Sequence, residues 1–140
     1  GNFVHIGLIQ KICPEAIFIE CVRDTRDTAL SIFGHWFQEG HPYAYDMDEI
    51  LSVQEAYRHV MLSWRDVIPN KIHTLNYENL VTSPLSQIKE LLNYCNLPFE
   101  ENCLEPHKTK RAIENSNARR LEFPIGSTRV GRARNYNFAF

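Results

Sequence analysis

The chain has 140 residues, 44% of them hydrophobic and 23% charged, with a formal net charge of −2, enough for one modest core and too little for two comfortable domains. No run approaches the roughly 18 uninterrupted apolar residues of a membrane span, and the start lacks the basic flank and apolar stretch of an export signal, so a cytoplasmic protein is expected. The charge is unevenly spread: residues 108–134 hold eight Lys/Arg against two Glu, leaving seven Lys/Arg and fifteen Asp/Glu elsewhere. An anion would go to that tail.

In chain order, Val4, Leu8 and Ile12 recur at helical spacing until Cys13-Pro14 stops the pattern. Ala16-Ile17-Phe18-Ile19-Glu20-Cys21-Val22 follows, an apolar and β-branched run broken only by Glu20, which predicts a strand buried on both faces of a parallel sheet. Over residues 25–37 the helical period returns in Ala29, Leu30, Phe33, Trp36 and Phe37, with Asp24 as the cap. A polar loop through Gly40-His41-Pro42 leads into a long amphipathic helix whose inward face is read as Ile50, Val53, Tyr57, Val60, Met61 and Trp64.

Residues 72–77 alternate like a second strand, and Ser83-Pro84 supplies a cap and a first-turn proline before Leu85, Ile88, Leu91 and Leu92. Helices between two strands imply a right-handed crossover and a parallel pair. A short helix is expected over residues 100–107, followed by an irregular basic segment with Pro124 and Gly126 as breakers. The fold class is α/β with few parallel strands, and two strands make a poor sheet, so further strands are expected from sequence outside this chain.

Cys13, Cys21, Cys95 and Cys103 stand singly, which reads as reduced core cysteines. The six histidines form no metal-ligand spacing, and no metal is assigned.

The segment IECVRDTRDTALSIF places Arg23 at the carboxyl end of a strand and Ser31 eight positions on, in the following helix. Ligands of open α/β sheets bind at that edge, where a guanidinium and a hydroxyl could share a phosphate. From residue types alone, Arg23, Asp24, Arg26 and Asp27 read equally as a charged helix start. The basic tail with Phe123, Tyr136 and Phe138 also fits a single-stranded nucleic-acid surface.

Arginine followed eight residues later by serine, after a strand reading AIFIECV, resembles the 3′-phosphate motif of sulfotransferases that use 3′-phosphoadenylyl sulfate. Further blocks, GHPYAYDMDEI, MLSWRDVIPNKIHTLNYENLV, LLNYCNLPFEENCLEPHKTKRAIENSN and PIGSTRVGRARNY, resemble the bacterial tetratricopeptide-associated sulfotransferases, and more distantly the protein-tyrosine sulfotransferases. The resemblance implies a partial P-loop-type sulfotransferase fold, one domain over residues 1–140 whose phosphosulfate-loop half lies upstream. It implies that Arg23 and Ser31 bind the cofactor's 3′-phosphate, that Tyr77 approaches the adenosine, and that Arg132 contacts the phosphates.

Asn117, with Ser116 beside it, falls where the family has a serine near the bridging oxygen, and Ala133 falls at a usual tryptophan. The six glycines never cluster, so no phosphate-cradling loop is present. The resemblance therefore implies sulfuryl transfer from 3′-phosphoadenylyl sulfate to a hydroxyl or amine acceptor, leaving 3′,5′-diphosphoadenosine. This chain would supply the 3′-phosphate clamp and C-terminal lid but no catalytic residue, and would be inactive alone. A degenerate nucleotide-binding module is the alternative. Expected partners are the nucleotide, an acceptor, the other half of the domain and helical repeats.

Overall fold

The computed structural model describes residues 2–37, 39–108 and 123–139. Chain order gives α1 (Ile6–Ile12), β1 (Phe18–Val22), α2 (Thr25–Phe33), α3 (Met47–Val67), β2 (Ile72–Asn76), α4 (Tyr77–Thr82) and α5 (Pro84–Tyr94), with 3-10 turns between and after them. The two strands pair in parallel, Phe18 opposite Ile72 and Val22 opposite Asn76. The fold is therefore α/β, a parallel strand pair flanked by helices, as a partial sulfotransferase fold requires.

Side chains alternate across a sheet, so Phe18, Glu20, Ile72 and Thr74 share one face. That face meets α3 and the N-terminal helix in a small core of Ile6, Met61 and Ile72, with Phe3, Phe18, Tyr57, Trp64 and Ile68 packed around it. The Trp64 indole donates to the Phe3 carbonyl oxygen at 2.8 Å, which fixes the ring over α1. On the opposite face, α5 covers β2, where His73 stacks on Tyr94 with ring centroids 4.8 Å apart.

Local chemistry explains the element ends. Asp24 accepts from the Asp27 N–H at 2.9 Å and starts α2, Asp46 does the same for Glu49 at α3, and Asn76 for Asn79 at α4. Pro84 opens α5 as expected, but the Ser83 hydroxyl makes no cap bond. Asn70 and Asn96 turn the chain with φ of 63° and 54°, a region asparagine tolerates better than most residues.

Several expectations are corrected. β1 is not buried on both faces: Ile19, like Ile17 just before the strand, is exposed, and Glu20, the polar interruption, is the buried residue of the strand. The helical spacing of Val4, Leu8 and Ile12 is only partly α-helix, since Val4 lies in a 3-10 turn before α1, and all three are exposed while α1 buries Ile6. Helix α2 stops at Phe33, leaving Trp36 in the loop at 80% exposure. Val53 of α3 is exposed, whereas Ile50 and Met61 are buried. The helix expected after residue 100 is a pair of 3-10 turns, Glu101–Leu104 and Pro106–Lys108. None of the four free cysteines lies in the core, and Cys13 and Cys21 are exposed.

Candidate functional site

Parallel register brings the two βα turns together. Because Val22 lies opposite Asn76, the residues that follow them, Arg23 and Tyr77, emerge side by side at the carboxyl end of the sheet. The Arg23 guanidinium lies over the Tyr77 ring, 4.8 Å from its centroid, a cation–π contact that holds the cation while leaving its edge available. The turns are also tied directly: the Asp24 N–H donates to the Glu78 carboxylate at 2.9 Å.

The C-terminal segment closes over this edge. Arg23 donates through Nη2 to the Arg129 carbonyl oxygen at 2.6 Å. Asp27, one helical turn into α2, is 1% exposed. Its Oδ2 accepts from the Gly131 N–H at 2.6 Å and its Oδ1 from the Ala133 N–H at 2.7 Å. Arg23 Nη2 stands 3.6 Å from the same carboxylate. Burial pushes the Asp27 carboxyl up, but the two N–H bonds and the Arg23 charge outweigh it and hold it below the ordinary value.

Of the residues singled out in the sequence, Arg23 and Tyr77 are thus in direct contact. Arg132 is exposed and sits between the two anchored amides. Ser31 is half-buried on α2, in the i, i+4 row that continues from Arg23 through Asp27. Ser116 and Asn117 lie outside the described residues. Asp27 was missed as a functional residue; its one sequence signal is its place midway between Arg23 and Ser31.

The Arg23 Nε is buried and, among the described residues, has no hydrogen-bond partner. An uncommitted guanidinium N–H inside the fold is costly, and an anion's oxygen would satisfy it. The donor set therefore fits a phosphate. Among the described residues there is no cluster of His, Cys, Asp or Glu able to hold a metal ion, and no helix is long and apolar enough to cross a membrane.

A parallel strand pair flanked by helices, with a stacked arginine at its carboxyl edge, defines an α/β protein. More specifically, a model of the sulfotransferase family matches residues 1–101, and the chain belongs to that family. It is also similar to an uncharacterized protein of Aquifex aeolicus (strain VF5), 32% identical over 138 residues. That alignment covers 96% of this chain and 18% of the relative, so the chain spans about a fifth of the relative's length.

Proposed function

We propose that the chain forms the 3′-phosphate side of a 3′-phosphoadenylyl sulfate site, working with other parts of a sulfotransferase that transfers a sulfuryl group to a hydroxyl or amine. The observation that carries this reading is the Arg23 guanidinium, stacked on Tyr77 at the sheet edge with its Nε uncommitted. A terminal phosphate accepts a fork from such a group, with the Ser31 hydroxyl and Arg132 as further donors. When bound, the cofactor supplies the activated sulfuryl group. The residues of this chain bind and orient the nucleotide, and Tyr77 limits the guanidinium to one plane.

Among the described residues, no glycine-rich turn joins a strand to a helix at the sheet edge, so the phosphosulfate end would be held by other sequence. The isolated chain should bind nucleotide and not turn over. Titration calorimetry with 3′,5′-diphosphoadenosine and with adenosine 5′-phosphate tests this. Arg23→Ala should weaken the first roughly 10- to 150-fold, the worth of one charge-assisted bond of about 1.5–3 kcal/mol, and leave the second unchanged. Equal binding of both nucleotides by the unaltered chain would refute the 3′-phosphate assignment.

A further inference from the structure

Gly131 has φ of +72° and is followed by a 3-10 turn beginning at Arg132. A left-handed residue followed by a right-handed one turns successive backbone N–H groups toward a common point and makes an anion-binding concavity. Here that concavity is already filled. The two Asp27 oxygens accept one N–H each from Gly131 and Ala133, 104 and 106 residues away in the chain. Both bonds are shorter than the 3.6 Å separation between Asp27 and Arg23, so the carboxylate is committed first to the backbone and only secondarily to the guanidinium.

We infer that Asp27 is a positioning residue: it acts as a built-in anion that fastens the Gly131–Ala133 turn against α2, and so fixes Arg132 and the Arg129 carbonyl oxygen next to Arg23. The inference rests on the nucleotide reading for its functional half. It assigns the concavity to the protein's own carboxylate, so the ligand phosphate goes to Arg23 instead. Arg23 is then left with its Nε free while its Nη2 is steered by the Arg129 carbonyl oxygen.

The chemistry explains why a neutral substitute fails. An aspartate offers both oxygens to two donors, whereas an asparagine offers one oxygen and turns an amide N–H₂ toward the second donor. A carboxylate is needed, at the reach of Asp and no other residue on that turn of helix.

The fastening is tested on the full chain with three variants. In Asp27→Asn, hydrogen exchange at the Gly131 and Ala133 amides should accelerate at least 10-fold with no nucleotide present. In Asp27→Ala, which leaves the concavity open, sodium formate should restore protection at those two amides while sodium chloride at equal ionic strength does not. Gly131→Ala gives an independent route. The atoms nearest its Cβ are those of the flexible Arg134 side chain, at 3.6 Å or more, while its φ of +72° disfavours a side chain, so the strain falls on the backbone and exchange should rise there with Asp27 intact.

The functional half is read from a cycle. Arg132→Ala should weaken 3′,5′-diphosphoadenosine several-fold in the unaltered chain and not at all in the Asp27→Asn background. Unchanged amide exchange in both Asp27 variants overturns the fastening, whatever the nucleotide does. Accelerated exchange with additive effects of Asp27→Asn and Arg132→Ala shows a fold contact only and overturns the positioning role. No nucleotide binding by the unaltered chain, with the exchange effects intact, sinks the nucleotide reading and with it the positioning role, and leaves the fastening alone.

Discussion

Replacing Arg65 by methionine strands a carboxylate inside the fold. Glu20, in the middle of β1, is held by the Tyr57 hydroxyl at 3.0 Å and by the Arg65 guanidinium, which also reaches the Thr74 hydroxyl and the Ile72 carbonyl oxygen. The side chains are unequally buried, 7% exposed for Glu20 and 35% for Arg65. The loss should therefore depend on which partner is removed. Arg65→Met leaves the buried charge with Tyr57 alone and should cost about 3–5 kcal/mol, the usual result of breaking a buried pair from one side. Glu20→Gln keeps a polar partner for Tyr57 and leaves Arg65 able to find water, so about 1–2 kcal/mol is expected. The double variant Glu20→Leu/Arg65→Met replaces the pair with apolar groups and should return to within about 1 kcal/mol of the starting stability. Urea unfolding followed by Trp64 fluorescence measures all three, against a total of roughly 5–15 kcal/mol for a domain. Equal losses in the two single variants, or a double variant equal to their sum, would refute the asymmetry.

Gly7→Ala should destabilise α1 despite the better helix propensity of alanine, because the new Cβ would sit 2.6 Å from the Trp64 ring that Phe3 holds in place. About 1–3 kcal/mol is expected in a urea titration, and a gain in stability would show that the ring moves freely. Acid should release the C-terminal segment: the folded Asp27 carboxyl lies below its ordinary value of 3.8, so its contribution is complete above that value and is lost as pH falls through the lower folded one. Urea midpoints measured from pH 6 downward should fall less steeply below pH 3.8 in Asp27→Asn than in the unaltered chain. Cys13 and Cys21 should be alkylated by iodoacetamide before Cys95 and Cys103, which are half-buried; mass spectrometry showing the reverse order would contradict the burial of the segment that runs from the end of α5 through the turn at Glu101–Leu104.

The contact between Arg23 and Tyr77 was legible in outline, since each residue directly follows a strand and parallel pairing places such residues together. Burial was less legible. The apolar rows Val4-Leu8-Ile12 and Ile17-Ile19 have the period of core elements, yet they are exposed. Periodicity reports that a face is apolar; it does not report whether another layer covers it. Glu20 showed the opposite error, a charge in an apolar run that is buried because Arg65 and Tyr57 reach it from a helix over 30 residues away. Helix α4 was missed because six residues after a strand leave too little pattern to separate a turn of helix from a strand end. Beyond its place midway between Arg23 and Ser31, Asp27 was illegible for a deeper reason: its partners are backbone N–H groups, which carry no residue signature at all.

Attachment through main chain also accounts for the departures from the family pattern in the C-terminal segment. Alanine at position 133 looks like the loss of an aromatic lid, but the residue is 4% exposed and its N–H is bonded to Asp27. Any residue other than proline can make that bond, so attachment of the segment does not depend on the missing ring. The same holds at Arg129, which reaches Arg23 through its carbonyl oxygen. The segment is therefore fastened by Asp27, Arg23 and main chain, and its attachment, unlike the proposed contact of Arg132 with the nucleotide, tolerates changed side chains at positions 129 and 133. Turnover makes a different demand, because it needs donors aimed at the charge that grows on the bridging oxygen. On the proposed reading, binding and catalysis are separable: a full-length protein that had lost turnover would still hold 3′,5′-diphosphoadenosine through Arg23, whereas one without the Arg23 clamp would bind it roughly 10- to 150-fold more weakly.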